Sequence, residues 1–229
     1  MAVLCVLSLA AHADDSFSGM VSVGTDYVFR GVSQTYGGAT LQGALNYRHP
    51  SGWFAGVWAS NVDPYPFGSN FAETNVYVGK GWSLSPRWTA NATYTRYQYV
   101  LDHRRKPYDY GELALSLAFE DRLTATISYQ PDGTRYSTLG YVRNRPSFAY
   151  ELAGRWPVVK GLSLVAGAGY YDLTHQYGVG YWSGNFGASY TIGRYEIDVV
   201  RFHADTTVRR LFDEASADRR WVATAIRRF

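Results

Sequence analysis

Apolar and polar residues alternate with a period of two along almost the whole chain, and helix-like spacing is nearly absent. Over 181–192, Trp182, Phe186, Ala188, Tyr190 and Ile192 fall on one face, while Ser183, Asn185, Gly187, Ser189 and Thr191 fall on the other. Leu113, Leu115, Leu117 and Phe119 alternate with Glu112, Ala114, Ser116 and Ala118. The same pattern sets Leu123, Ala125, Ile127 and Tyr129 against Thr124, Thr126, Ser128 and Gln130. About twelve segments of this kind are present, close to the ~10-residue alternating stretches of transmembrane barrel strands. They run over 17–31, 38–49, 52–62, 71–84, 87–100, 109–119, 122–131, 147–157, 162–173, 180–192, 194–206 and 218–229.

The connections alternate in length. Short ones lie at His49-Pro50-Ser51-Gly52, Ser85-Pro86, Glu120-Asp121-Arg122, Val159-Lys160-Gly161 and Ile192-Gly193. Long ones lie at 32–37, 63–70, 101–108, 132–146, 174–179 and 207–217. Short turns on one side and long loops on the other is the outer-membrane pattern, with both termini on the short-turn, periplasmic side. Register supports the same reading. A two-residue turn at Ile192-Gly193 would set Tyr190 opposite Tyr195, Ala188 opposite Ile197 and Ser189 opposite Glu196, so the apolar faces coincide. The turn at 120–122 would set Leu115 against Ile127 and Glu112 against Gln130.

Each segment thus has one apolar face, and no helix or spare apolar segment is available to cover it. Lipid is a covering that fits. In lipid every backbone N–H and C=O must be paired internally, so the sheet must close. The expected fold is an all-β, antiparallel, up-and-down transmembrane barrel, and twelve strands is an even number, as single-chain bacterial barrels require. The inward faces are expected to be polar, small and charged. An aromatic fraction of 17%, with 20 Tyr and 7 Trp, suits belts of amphipathic rings at the two interfaces. A net charge of +3 is too weak to argue for nucleic acid.

The ends fit a secreted barrel. Residues 2–11 are almost wholly apolar and Ala11-His12-Ala13 is a small-x-small cleavage site, so 1–13 is expected to be a signal peptide and 14–229 the barrel domain. The signal carries no Lys or Arg before its apolar run. Cys5, the only cysteine, lies inside it, so the mature chain is expected to hold no disulfide and no cysteine-based metal site. The chain closes on the β-prone stretch Trp221-Val222-Ala223-Thr224-Ala225-Ile226 and ends at Phe229. A last strand ending in Phe is what the outer-membrane assembly machinery would be expected to engage.

The stretch Ser22-Val23-Gly24-Thr25-Asp26-Tyr27-Val28-Phe29-Arg30-Gly31-Val32-Ser33-Gln34-Thr35 resembles the first strand and loop of the TorF-family porins, small Gram-negative outer-membrane proteins. Gly52-Trp53-Phe54-Ala55-Gly56-Val57-Trp58-Ala59-Ser60-Asn61-Val62 resembles that family's third strand. Glu73-Thr74-Asn75-Val76-Tyr77-Val78-Gly79, Tyr110-Gly111-Glu112-Leu113 and Ile127-Ser128-Tyr129 are similar to it as well. The likeness covers the first 130 residues and implies a barrel in the outer membrane with a pore. Arg227 departs from the pattern, because the outward alternation from Phe229 favours an apolar residue there.

By parity the inward charges are Asp26, Arg30, Arg48, Glu73, Glu112, Glu151, Arg155, Arg194, Glu196 and Asp198, and these are the pore-lining candidates. Rings of such charges would set ion selectivity in a channel. They could equally plug the lumen of a small barrel with ion pairs, since twelve strands lie between filled and open barrels. The basic run Asp102-His103-Arg104-Arg105-Lys106 in an outer loop could attract anionic solutes or lipopolysaccharide phosphates. Arg209-Arg210 and Arg219-Arg220 are further basic pairs in a loop. The five histidines show no metal-ligand spacing, and no cofactor is expected. Ser189 and His203 could serve a membrane hydrolase, but no nucleophile motif accompanies them, so no enzyme is expected. The expected function is passive diffusion of small hydrophilic solutes across the outer membrane, with lipid and lipopolysaccharide as surroundings. The alternative is a closed barrel whose loops bind a partner, for which segment 132–146, with Tyr136, Tyr141, Arg143 and Arg145, would serve.

Overall fold

A computed structural model describes residues 16–63, 71–100, 109–137, 140–212, 216–217 and 219–229. The expected signal segment 1–13 and the basic run 102–106 lie outside the described residues. Strand β1 (Ser16–Gly24) leads into a small hairpin, β2 (Val28–Phe29) and β3 (Val32–Ser33). Strands β4 (Thr40–Arg48), β5 (Trp53–Val62), β6 (Phe71–Ser83), β7 (Trp88–Val100), β8 (Tyr110–Phe119) and β9 (Leu123–Gln130) follow. A second hairpin, β10 (Arg135–Ser137) and β11 (Gly140–Val142), precedes β12 (Ser147–Val159) and β13 (Leu162–Leu173). The one-turn helix α1 (Thr174–Tyr177), β14 (Val179–Ile192), β15 (Tyr195–Ala204), the one-turn helix α2 (Val208–Leu211) and β16 (Arg220–Arg228) complete the chain.

The twelve long strands form one closed antiparallel barrel in the order β1-β16-β15-β14-β13-β12-β9-β8-β7-β6-β5-β4. The seam joins the two ends of the chain. Met20 faces Arg228 and Gly24 faces Thr224, and Gly19 and Phe229 exchange backbone hydrogen bonds of 2.8 and 3.0 Å. Closure removes both sheet edges, which lipid requires. Twelve strands spaced ~4.8 Å apart and tilted by ~40° close at a backbone radius of roughly 12 Å.

The alternation reads directly onto two faces. Leu115 is 65% exposed and Phe186 60% exposed on the outside, whereas Ser128 and Ser189, on the opposite parity, are buried inside. Outside, aliphatic side chains such as Leu45, Val57, Leu115, Leu152 and Ile197 form the middle band. Trp53, Trp82, Trp88, Trp156 and Tyr195 ring the short-turn end, and Tyr129, Tyr150, Trp182 and Trp221 ring the loop end. This is the two-belt arrangement of an outer-membrane barrel.

Register agrees with expectation at one turn and differs at another. Leu115 faces Ile127. Between β14 and β15, however, Ile192 pairs with Tyr195, Thr191 with Glu196 and Tyr190 with Ile197, two residues away from the expected register. The turn is Gly193-Arg194 rather than Ile192-Gly193, because Gly193 takes the left-handed conformation (φ 58°) that a tight hairpin turn needs. A slip of two preserves the faces, so apolar still meets apolar. The first segment departs further. It does not continue as one strand over 17–31, because β1 ends at Gly24 and the following residues turn into the lumen.

Candidate functional site

Residues 25–39 connect β1 to β4, and they fold inward rather than outward. The β2–β3 hairpin pairs Val28 with Ser33 and Phe29 with Val32. Its two-residue turn is Arg30-Gly31, with φ of 48° and 80°. Positive φ at both positions defines the turn type whose twist matches a hairpin. Glycine accepts that conformation freely, while Arg30 adopts it at a cost that the surroundings must offset.

Those surroundings are a clamp. Arg30 Nη1 and Nη2 donate to the two carboxylate oxygens of Glu112 on β8 at 2.8 and 3.0 Å. Glu151 on β12 lies 3.5 Å away. The guanidinium also stacks against Phe29 and Tyr171, at 4.7 and 5.0 Å from the ring centroids. Its own carbonyl accepts from the Tyr181 hydroxyl on β14 at 3.0 Å. Burial alone would lower the pKa of Arg30, but Glu112 and Glu151 outweigh it and hold it well above the ordinary guanidinium value. A buried arginine forked onto one carboxylate and backed by a second is the strong form of such a contact.

The rest of the hairpin is tied down on other sides. The Tyr27 hydroxyl sits 3.3 and 3.4 Å from the Glu73 carboxylate on β6, and Asn75 donates to the same group at 2.9 Å. The Tyr27 ring meets Trp58 on β5 edge-on. Asp26 accepts from Ser33 and Thr35, each at 2.6 Å, and from Arg220 on β16 at 2.6 Å. Val32 packs with Leu173, Tyr181, Ala204 and Val208. One short segment therefore reaches β5, β6, β8, β12, β13, β14 and β16, and it spans the lumen in its loop-side half.

A second charged cluster lies toward the short turns. Glu196 is bridged by Arg155 at 3.3 Å and by Arg228 at 3.2 Å. Thr191 donates to Glu196, and Arg155 donates to Ser189. Between this cluster and the hairpin is a cavity of about 60 Å³, lined by Asp26, Val28, Asp198 and an apolar wall of Met20, Val200, Phe202, Val222 and Ile226. The lumen is thus not uniformly polar, contrary to expectation. On β1, β15 and β16 several inward positions are apolar, and Val28 of the hairpin faces the same cavity.

The pore-lining candidates fall in different places. Glu73, Glu112, Glu151, Arg155, Glu196 and Asp198 are on inward positions of strands, and Arg48 is on the inward parity at the short-turn end of β4. Asp26 and Arg30 are buried, but on the inward loop and not on a common strand. Arg194 is in the exposed β14–β15 turn, away from the lumen. Arg220 and Arg228 are inward and paired, and neither was among the candidates. Arg228 could have been found by counting inward from the outward Phe229. Segment 132–146 contains the β10–β11 hairpin, with Tyr141, Arg143 and Arg145 exposed. Ser189 points inward and His203 lies on the outward parity of β15, so the two do not form a hydrolase pair. Among the described residues no group of three His, Cys, Asp or Glu side chains could hold a metal ion.

A family model described as "Bacterial protein of unknown function (Gcw_chp)" matches residues 10–226. The chain belongs to this Gcw_chp family. No curated protein sequence matches it. Among solved structures, it is similar to a KdgM porin (TM-score 0.58, 10% identity, covering 93% of this chain and 99% of that one). It is similar also to a NanC porin (TM-score 0.61, 10% identity, 91% and 97% covered). A third is the COG4313 outer membrane channel from Pseudomonas putida F1 (TM-score 0.58, 10% identity, 93% and 95% covered). At this identity the likeness concerns the fold, and the Gcw_chp barrel has the fold of small outer-membrane porins.

Proposed function

We propose that this Gcw_chp barrel is an outer-membrane channel for passive diffusion of small hydrophilic solutes, with its narrowest point at the Arg30-Gly31 tip. The observation that carries this reading is the inward hairpin, which ties a porin-type barrel across its lumen by side-chain contacts that can be broken without unfolding the wall. The porin neighbours and the resemblance to TorF-family porins support the same reading. The candidates that face the lumen would set the field along the path. Among the described residues the inward charges are Asp26, Glu73, Glu112, Glu151, Glu196 and Asp198 against Arg30, Arg48, Arg155, Arg220 and Arg228, a near balance that argues for weak charge selectivity. One similar porin structure holds oligogalacturonate, an acidic sugar chain; the balanced lumen here lacks the basic excess that such a solute would favour. No covalent chemistry is part of this reading.

The mature chain is taken to begin at Asp14 after removal of 1–13, and the strand ending in Phe229 is taken as the segment the assembly machinery engages. A second reading, a closed barrel that presents its loops to a partner, is favoured by the number of sides on which the hairpin is anchored. Conductance of the refolded chain in a planar lipid bilayer separates them. Discrete single-channel steps support the channel. A silent bilayer, with a barrel that still migrates as folded in unheated gels, refutes it and favours the closed barrel.

A further inference from the structure

The lipid-facing surface carries cations where the barrel pattern calls for apolar or aromatic residues, and three of them fall at the loop-side part of β15 and the start of β16. On β15, Arg201 and His203 have the same outward parity as Ile197 and Val199. Arg201 pairs across the sheet with Phe186 on β14 and Trp221 on β16. Trp221 belongs to the loop-end aromatic ring and is 54% exposed, while Phe186, midway along β14, is 60% exposed. The Arg201 guanidinium lies 5.6 Å from the centroid of the Trp221 ring. Arg220, the first residue of β16, is the partner of Phe202, and the exposed Arg219 immediately precedes it on the same parity as the outward Trp221.

Among the described residues no carboxylate neutralises this group. Among the described residues, none of Arg201, His203 and Arg219 takes part in an ion pair. The described acid that follows Arg201 and His203 along the chain, Asp205, is already committed: its carboxylate accepts from the backbone N–H of Trp182 and of Thr207, each at 2.8 Å. Charge held in hydrocarbon is costly, so a cation on the lipid face reaches for the headgroup level, where an anionic group can neutralise it. The loop end of an outer-membrane barrel faces the outside. The leaflet there is built of a glycolipid whose lipid A moiety bears phosphates at the level of its headgroup sugars.

We infer that Arg201, His203 and Arg219 form a binding site for a lipid A phosphate on the outward face of β15 and β16, with Trp221 and Phe186 as the bed for the adjoining sugar and acyl chains. Arg201 supplies the planar fork that suits a phosphate, and it is pre-oriented by its ring contact. This site is independent of whether the lumen conducts.

The test uses the full barrel refolded in detergent, titrated with lipid A and followed by native mass spectrometry and thermal unfolding. Wild type is expected to retain lipid A and to unfold at a higher temperature in its presence. The variant Arg201→Ala/His203→Ala/Arg219→Ala is expected to bind it about tenfold more weakly, the effect of ~1.4 kcal/mol, while Arg87→Ala at the short-turn end leaves binding unchanged. Arg201→Gln alone, which keeps the contact area, is expected to show part of the same loss if the triple variant fails to fold. Equal binding of dephosphorylated lipid A would place the affinity in the acyl chains and overturn the proposal, as would undiminished binding by folded variants. Displacement of lipid A by inorganic phosphate alone would indicate a free-ion site and overturn the lipid assignment. Equal binding of phosphatidylglycerol would do the same.

Discussion

Replacing Arg30 by alanine removes the latch at the centre of the lumen. The two carboxylates it serves, Glu112 at 2.8 Å and Glu151 at 3.5 Å, then face a space with no cation between them. Both Arg30 and Glu112 have side chains only 5% exposed, so solvent does little to screen the loss. Removing one partner of a buried ion pair costs about 3–5 kcal/mol, because the surviving charge is stranded. The barrel wall itself is held by its ladders and does not depend on Arg30, so this cost falls on the docking of the hairpin. It corresponds to a shift of roughly a hundredfold or more in favour of the undocked hairpin. Single-channel recording of Arg30→Ala in a planar bilayer is therefore expected to show larger conductance steps, or frequent transitions to a larger level, than wild type. Arg30→Lys keeps the charge but not the fork and should fall between. The triple variant Arg30→Ala/Glu112→Gln/Glu151→Gln removes the stranded charges as well. It should regain thermal stability while keeping the larger conductance, which separates the latch from general damage. If folded Arg30→Ala conducts with the same steps and kinetics as wild type, the hairpin is not the constriction and the reasoning fails.

Other expected outcomes follow from the same geometry. Gly31→Ala should loosen the hairpin by about 1–3 kcal/mol, measured as a lower unfolding temperature and noisier conductance; its added Cβ would lie 2.8 Å from Ser183 Cβ and 3.0 Å from Ala204 Cβ, at a φ of 80°. Glu196→Gln removes the shared partner of Arg155 and Arg228, and the reversal potential in a salt gradient should move toward anion selectivity. Leu115→Arg, on the middle of the lipid face, should cost about 2–4 kcal/mol in urea unfolding from vesicles; an effect near zero would deny that this face meets lipid.

Strand number, faces and the alternation of short turns with long loops were legible because each rests on a period of two, and that period survives even an error of register. The β14–β15 turn shows this: the pairing lies two residues from the expected one, yet Tyr190 still meets an outward apolar residue, Ile197. The same property made the charges on strands easy to place. It failed at 25–31, where Asp26, Val28 and Arg30 continue the alternation of β1 although the chain has already left the barrel wall. The inward hairpin is itself extended, so it shares the pattern of the strand before it. A local signal was nonetheless present. Arg30-Gly31 stands between Val28-Phe29 and Val32-Ser33, which is the layout of a two-residue hairpin with glycine at a left-handed position. What no local pattern could supply is that Arg30 meets Glu112, 82 positions away, or that Asp26 meets Arg220, 194 positions away. Segment 132–146, read from its length and its Tyr and Arg content as a candidate partner-binding loop, contains the β10–β11 hairpin, with Tyr141, Arg143 and Arg145 exposed.

The two halves of the lumen explain why the hairpin lies where it does. One half, on β6 to β9, presents groups such as Glu73, Asn75, Glu112, Ser116 and Thr126, of which Ser116 and Thr126 hydrogen-bond each other at 2.8 Å. The other half, on β1, β15 and β16, interleaves an apolar strip of Met20, Val200, Phe202, Val222 and Ile226 with Ser22, Asp198 and Thr224. A backbone radius of roughly 12 Å leaves more width than inward side chains from opposite walls can fill. An empty lumen of this composition would leave the apolar wall against water. The hairpin meets both walls in kind, directing Tyr27 and Arg30 to the polar half and Val28 to the apolar half. Breaking the Arg30 clamp removes the bonds to Glu112 and Glu151 and leaves Tyr27 at Glu73, while on the other side Asp26 stays bonded to Arg220 and burial of a Val-sized side chain still contributes about 1.5–3 kcal/mol. The released hairpin should therefore lean toward β1, β15 and β16 rather than leave the barrel. A path for solutes then opens along the β6–β9 wall, where the hydroxyl and amide groups can replace the water that a hydrophilic solute sheds.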